Sequence, residues 1–137
     1  MRRLLFFPLA LCLSACAATR LSSTLACPNG TSAMMRAELF FGSSIGPETA
    51  ISDAAWKTFL ENDVTPRFPA GLTVTDASGQ WRDAQGRIET EKSRDLILIV
   101  SDNDASLSAI AELRSIYKTR FCQESVLLSL TPSCASF

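Results

Sequence analysis

The chain has 137 residues, with 13 basic and 14 acidic side chains, a net charge of −1 and no histidine. A chain of this length holds one ordinary domain. The lack of histidine excludes Ser-His and Cys-His catalysis and removes the commonest metal ligand, while the lack of a Lys/Arg run argues against nucleic acid, whose binding rests on neutralising phosphates.

Arg2 and Arg3 precede a nearly unbroken apolar run at residues 4–13, LLFFPLALCL. The run is too short to span a bilayer, which takes roughly 20 apolar residues. A basic start, a short apolar run and small residues behind it describe a secretory signal. The run ends in Leu13-Ser14-Ala15-Cys16, which resembles the lipobox of bacterial lipoproteins. That resemblance implies cleavage after residue 15 and a diacylglycerol on the Cys16 thiol. One acyl chain holds a protein weakly, and two or more make a stable anchor. Arg2-Arg3 lacks the polar lead-in of a twin-arginine signal. Ala17, in place of Asp, directs a Gram-negative lipoprotein to the outer membrane, facing the periplasm. Loss of Arg2 and Arg3 leaves a mature net charge of about −3.

Residues 16–32 are small, polar and aperiodic, and read as a lipidated, flexible tether. The domain then occupies residues 33–131, with a tail at 132–137. Periodicity places a strand at residues 37–41, stopped by Gly42 and a Gly46-Pro47 turn. Ser52 is a good N-cap for a helix that carries Ala55, Trp56, Phe59 and Leu60, and Pro66 and Pro69 bar its continuation. Residues 72–76 alternate as a half-buried strand. Ala77-Ser78-Gly79 predicts a turn into a short return strand at 80–82. After a second turn, residues 88–100 form a long strand. Asp102-Asn103-Asp104 lacks the glycine and distal glutamate of a calcium loop and reads as a helix cap. The second helix puts Leu107, Ile110, Leu113, Ile116, Tyr117 and Phe121 on one side, and residues 125–130 are the last strand.

The order β-α-β-β-α-β predicts an α+β, ferredoxin-like sandwich: an antiparallel sheet, both helices on one face, and a small extra hairpin. The first strand would lie between the third and fourth. An open α+β sheet of different order fits the same periodicity. Alternation sends Leu39, Phe41, Leu72, Val74, Leu96, Leu98, Val100, Val126, Leu128 and Leu130 inward, and Phe40, Ile97, Ile99 and Leu127 outward. Four large apolar groups on a face expected to be wet call for a cover. The cover is the tether or the hairpin, or else a second copy, an envelope partner or a ligand.

The same strand order selects a disulfide. Outside the inner membrane paired cysteines are usually bridged. Cys27 precedes the first strand and Cys134 follows the last, so both fall at one edge of the domain. Cys122 lies at the other end and is expected to be a free, largely buried thiol.

No phosphate-binding or dinucleotide loop is present, the cysteines lack metal-site spacing, and no cofactor or metal is expected. The candidates for binding are scattered. Arg67, held between Pro66 and Pro69, suits a carboxylate or phosphate, or pairs with an acid of the same chain. Gln80 and Trp81 offer an amide beside an aromatic face. Glu89 and Glu91 share one face of a regular strand and could serve acid/base chemistry or simply meet solvent. Tyr117, Gln123 and Glu124 cluster where the second helix ends, with Tyr117 on the apolar stripe.

The segment 64–81, VTPRFPAGLTVTDASGQW, with Glu91-Lys92-Ser93 and the Tyr117, Arg120–Val126 stretch, resembles a bacterial family of short exported proteins catalogued only as a domain of unknown function. The likeness runs from about residue 37 to 128. Cys122 stands where the resemblance expects a small residue, commonly glycine. It implies an envelope location and no particular reaction. Two functional classes remain. One is a non-catalytic, membrane-anchored envelope protein that binds a partner or small ligand. The other is a histidine-free enzyme with Arg67, Glu89 or Glu91, and Tyr117 around one pocket.

Overall fold

A computed structural model describes residues 25–45 and 49–137. The signal sequence, Cys16 and the Gly46-Pro47 turn lie outside the described residues. The chain forms β1 (Ser32–Gly42), a two-rung ribbon of β2 (Ser44–Ile45) and β3 (Thr49–Ala50), and helix α1 (Asp53–Phe59), which runs into a π turn at Leu60–Val64. Strands β4 (Thr73–Arg82) and β5 (Ile88–Val100), helix α2 (Asp104–Arg120) and β6 (Leu127–Ala135) follow. The result is an α+β fold with a four-stranded antiparallel sheet in the order β4-β5-β1-β6.

Both helices begin at side-chain caps. Ser52 accepts from the Ala55 N–H, and Asn103 accepts from the Ser106 N–H at 2.8 Å. Each cap satisfies a backbone donor that the helix cannot satisfy itself. The π turn closes with Thr65 N–H donating to Leu60 O, directly ahead of Pro66. Gly71, at φ +127°, turns the chain from there into β4, a conformation that a side chain would resist.

One sheet face is sealed by the helices. Met35, Ala37, Leu39, Phe41, Leu96 and Leu98 are buried with Trp56 and Phe59 of α1 and Ile110, Leu113 and Tyr117 of α2. Phe41 and Tyr117 stack edge to face with centroids 4.5 Å apart, and Tyr117 lies 5.0 Å from Phe59 and 4.6 Å from Phe121. Such pairs add directional attraction to the burial of area. Arg94 lies over Trp56, 5.2 Å from its centroid, and pairs with Asp53.

The structure departs from the sequence reading in several places. Residues 77–79 do not turn, and the extra hairpin is absent: Ala77, Ser78 and Gly79 pair in regular register with Ser93, Lys92 and Glu91. Local turn preference yields there to pairing along a long β4–β5 hairpin, whose real turn is held by Asp83. Its carboxylate accepts from the backbone N–H groups of Gln85 and Arg87 and from the Arg87 guanidinium. β1 starts at Ser32 and β6 ends at Ala135, so strand pairing reaches past residues 33–131 at both ends. Leu130 pairs with Ala37 on the helix side but is exposed and stands outside the core. Cys27 and Cys134 are bridged, with Cα atoms 5.6 Å apart. Cys134 pairs with Ala33, so the bridge ties the approach of β1 to the end of β6.

Cys122 is free but exposed rather than buried. It sits at φ +52°, just past the α2 C-cap Phe121, and the next N–H, of Gln123, donates back to Lys118 O at 3.0 Å. This left-handed closure of a helix favours glycine, and it turns the side chain away from the core.

Candidate active or binding site on the open sheet face

Strand alternation places Phe40, Ile97, Ile99 and Leu127 on the sheet face away from the helices. Phe40, Ile97 and Ile99 are half-buried and Leu127 is 63% exposed. Among them stands Asp95, which pairs with Phe40 on β1 and Thr75 on β4. Its Oδ1 is buried without a hydrogen-bond partner among the described residues. Burial, and then the neighbouring Glu38 carboxylate, push the Asp95 carboxyl above its usual range against the pull of Arg36.

At the hairpin end this face opens into a pocket of about 240 Å³. Gly42 of β1 and Gly79 of β4 flank Glu91 and Ser93 of β5 and supply no side chains. A Cβ on Gly79 would meet nothing within 4 Å, so a larger side chain there would project into the open space beside Glu91. A Cβ on Gly42 would lie 2.5 Å from Glu91 Oε1 and 2.8 Å from Gln123 Oε1. Gly42 therefore lets two oxygens from distant parts of the chain converge. Trp81 and Phe40 give the pocket aromatic walls, and Leu127 an aliphatic one.

Each polar group is held from behind. Gln123 donates its amide N–H groups to Ser44 O at 2.6 Å and Phe121 O at 3.2 Å. Burial raises the Glu91 carboxyl above the ordinary glutamate range, against the Ser44 backbone N–H and the nearby Trp81 indole, which favour its charged form. The indole Nε1 is buried close to that carboxyl but outside hydrogen-bond geometry. Below the sheet, the Tyr117 hydroxyl donates to Gly42 O at 2.8 Å and fixes the floor.

Of the residues singled out by sequence, the pocket gathers Gln80, Trp81, Glu91, Gln123 and Glu124, together with Phe40 and Leu127. Gln80 also donates to the Thr90 hydroxyl at 3.1 Å. Glu89 shares the face of Glu91 but turns toward Arg87, 3.8 Å away. Two expectations for an enzyme site fail. Arg67 does not reach the pocket: it donates to Glu112 at 2.9 Å and to Asp63 O at 2.8 Å, under Phe68 near Ile99. Tyr117 points to a backbone carbonyl inside the protein, and burial lifts its phenol far above the ordinary value, so it keeps its proton. Sequence reading missed Gly42 and Gly79, which look like a strand stop and a turn until their partners across the sheet are known. No group of three or more potential metal-ligating acidic or sulfur side chains occurs among the described residues.

The fold recurs in solved structures. A phage SAM lyase in complex with S-methyl-5'-thioadenosine is similar with a TM-score of 0.61 at 16% identity, over 76% of this chain and 90% of that one. The same kind of lyase in its apo state gives 0.58 at 15%, over 84% and 97%. CutA from Synechococcus elongatus gives 0.51 at 15%, over 77% and 83%. These likenesses concern the fold alone. No curated protein matches the sequence. Residues 36–137 match the family model described as "Protein of unknown function (DUF3574)", and the chain belongs to that family.

Proposed function

We propose that the chain is an exported lipoprotein, anchored through Cys16, whose domain binds a small organic ligand in the pocket at the hairpin end of the open sheet face. The topology behind it we read as ferredoxin-like, with a helix after β1 and another after β5, and β1 between β5 and β6. The observation that carries the reading is the convergence of Glu91, Gln123 and Trp81 around Gly42 and Gly79. A small, partly apolar concavity with a few convergent polar groups is what a ligand site requires. The role is binding without chemistry, since Glu91 has neither Arg67 nor the Tyr117 hydroxyl beside it. The bridge between Cys27 and Cys134 suits an oxidising compartment.

Filling the pocket tests the function. Gly79→Leu, in a position with open space and no left-handed φ, leaves the fold and removes the binding of any small molecule found by ligand-observed NMR on the full chain in detergent micelles. Retention of binding would place the ligand elsewhere. For the anchor, Cys16→Ser abolishes labelling by a radioactive fatty acid; equal label in both proteins would refute lipidation.

A second copy docking on the rest of the open face is a further reading, favoured by the buried, unpartnered Asp95 oxygen among Phe40, Ile97 and Ile99. Ile97→Lys would then shift a dimer to monomer in sedimentation. A wild-type monomer at high concentration rules this reading out.

A further inference from the structure

The pocket's inventory of donors and acceptors is lopsided, and the imbalance names a ligand class. No lysine or arginine lines the pocket. Of the basic side chains nearby, Arg94 lies over Trp56 and pairs with Asp53, Arg87 pairs with Asp83 and also feels the Glu124 carboxylate, and Lys92, next to Glu91 along β5, alternates to the other face of the sheet. Gln123 is an acceptor here, because Ser44 O and Phe121 O take its amide hydrogens and leave Oε1 turned toward Gly42. Glu91 Oε1 approaches the same spot. A carboxylate offers about four lone-pair sites. The Ser44 N–H reaches it, and the Trp81 indole lies close to it but outside hydrogen-bond geometry. Two acceptor oxygens thus meet over a glycine with unspent lone pairs, and Glu124 adds a second carboxylate at the rim.

Resting on the ligand-binding reading above, we infer that the pocket takes a small molecule with an ammonium or similar cationic donor beside a flat, apolar body. The cation would sit between Glu91 Oε1 and Gln123 Oε1, donating to both. Its body would lie against Trp81, Phe40 and Leu127, where an aromatic face also attracts a cation. An anion would instead meet the Glu91 and Glu124 carboxylates, and a neutral molecule would leave Glu91 desolvated and uncompensated.

A matched series tests the charge apart from the pocket: benzylamine, benzyl alcohol and benzoate, which share a ring and differ in charge. Each is titrated into the full chain in micelles near pH 7 and followed by ligand-observed NMR. Benzylamine is expected to bind at least about tenfold more tightly than benzyl alcohol, and benzoate least. Glu91→Gln should cost benzylamine far more affinity than benzyl alcohol, a split that general damage to the fold would not produce. Gly79→Leu should weaken whichever probes bind. Equal or tighter binding of benzyl alcohol or benzoate, blocked by Gly79→Leu, overturns the cationic class and leaves the pocket standing. Binding of none of the three, or binding indifferent to Gly79→Leu, overturns the pocket and the class together.

Discussion

The two faces of the sheet are written in alternating residues of the same strands, yet they obey different physics. On the helix side, Leu39 and Phe41 of β1 face Leu96 and Leu98 of β5, all fully buried, and aromatic rings from both helices close over them. One residue away on each strand, Phe40 and Ile97 stand among Arg36, Glu38, Asp95 and Thr75, half open to solvent. The packed face is satisfied: its apolar groups have neighbours, and its one buried hydroxyl, Tyr117, has Gly42 O. The open face keeps what the packed face does not, a buried oxygen on Asp95 and an indole N–H on Trp81 without hydrogen-bond partners among the described residues. Such groups carry a desolvation cost that the packed face avoids.

The sharpest way to break this comparison is to truncate adjacent residues of β1. Phe41→Ala removes a ring from the sealed core and should cost about 3–5 kcal/mol in urea denaturation. Phe40→Ala, on the open face, should cost about 1 kcal/mol. Similar losses from the two would mean that the open face is covered in solution. Tyr117→Phe probes a contact that couples core to pocket. It leaves Gly42 O unmet and should cost about 1–2 kcal/mol, while loosening the pocket floor. An unchanged midpoint would show that the hydroxyl is dispensable.

Cys122→Gly should go the other way. Relieving a side chain held at positive φ should raise stability by about 1 kcal/mol, read from the thermal midpoint under reducing conditions. The smallest effect is one of pH. Because burial raises the Glu91 carboxyl, the stability it contributes is whole below the usual glutamate range and is lost as pH rises through its raised value. Glu91→Gln should therefore gain on the wild type as pH rises out of the usual glutamate range. A difference independent of pH would show that the carboxyl is not desolvated in solution.

What could be read from the sequence was what local chemistry decides. Ser52 and Asn103 cap where N-cap residues should. The apolar stripe of α2 names its buried side, and alternation separates Phe40 from Phe41. Pairing at long range was harder. Ala77-Ser78-Gly79 has turn chemistry, and only the register against residues 91–93 keeps it extended. Arg67 looks preorganised for a ligand until Glu112, 45 positions later, is seen to hold it. The pocket was half legible. Its side chains were noticed one by one, but their meeting depends on two glycines whose value lies in side chains contributed by β5 and by the end of α2. Cys122 shows the same limit, because its exposure follows from the handedness of one backbone step.

The bridge between Cys27 and Cys134 has a mechanical consequence. Tension arriving along the chain from residues before Cys27 does not peel β1 off the sheet one hydrogen bond at a time. The covalent link loads β6 together with β1, so the two strands are pulled from one edge as a unit and the shear falls on the rungs that join β1 to β5, from Met35↔Val100 to Gly42↔Ser93. Gly42 lies nine residues beyond Ala33 on β1, about 30 Å away at ordinary strand rise. A pull at the bridged edge thus enters the sheet far from the pocket, and reducing the bridge should lower the unfolding force seen when the chain is stretched from its N-terminus.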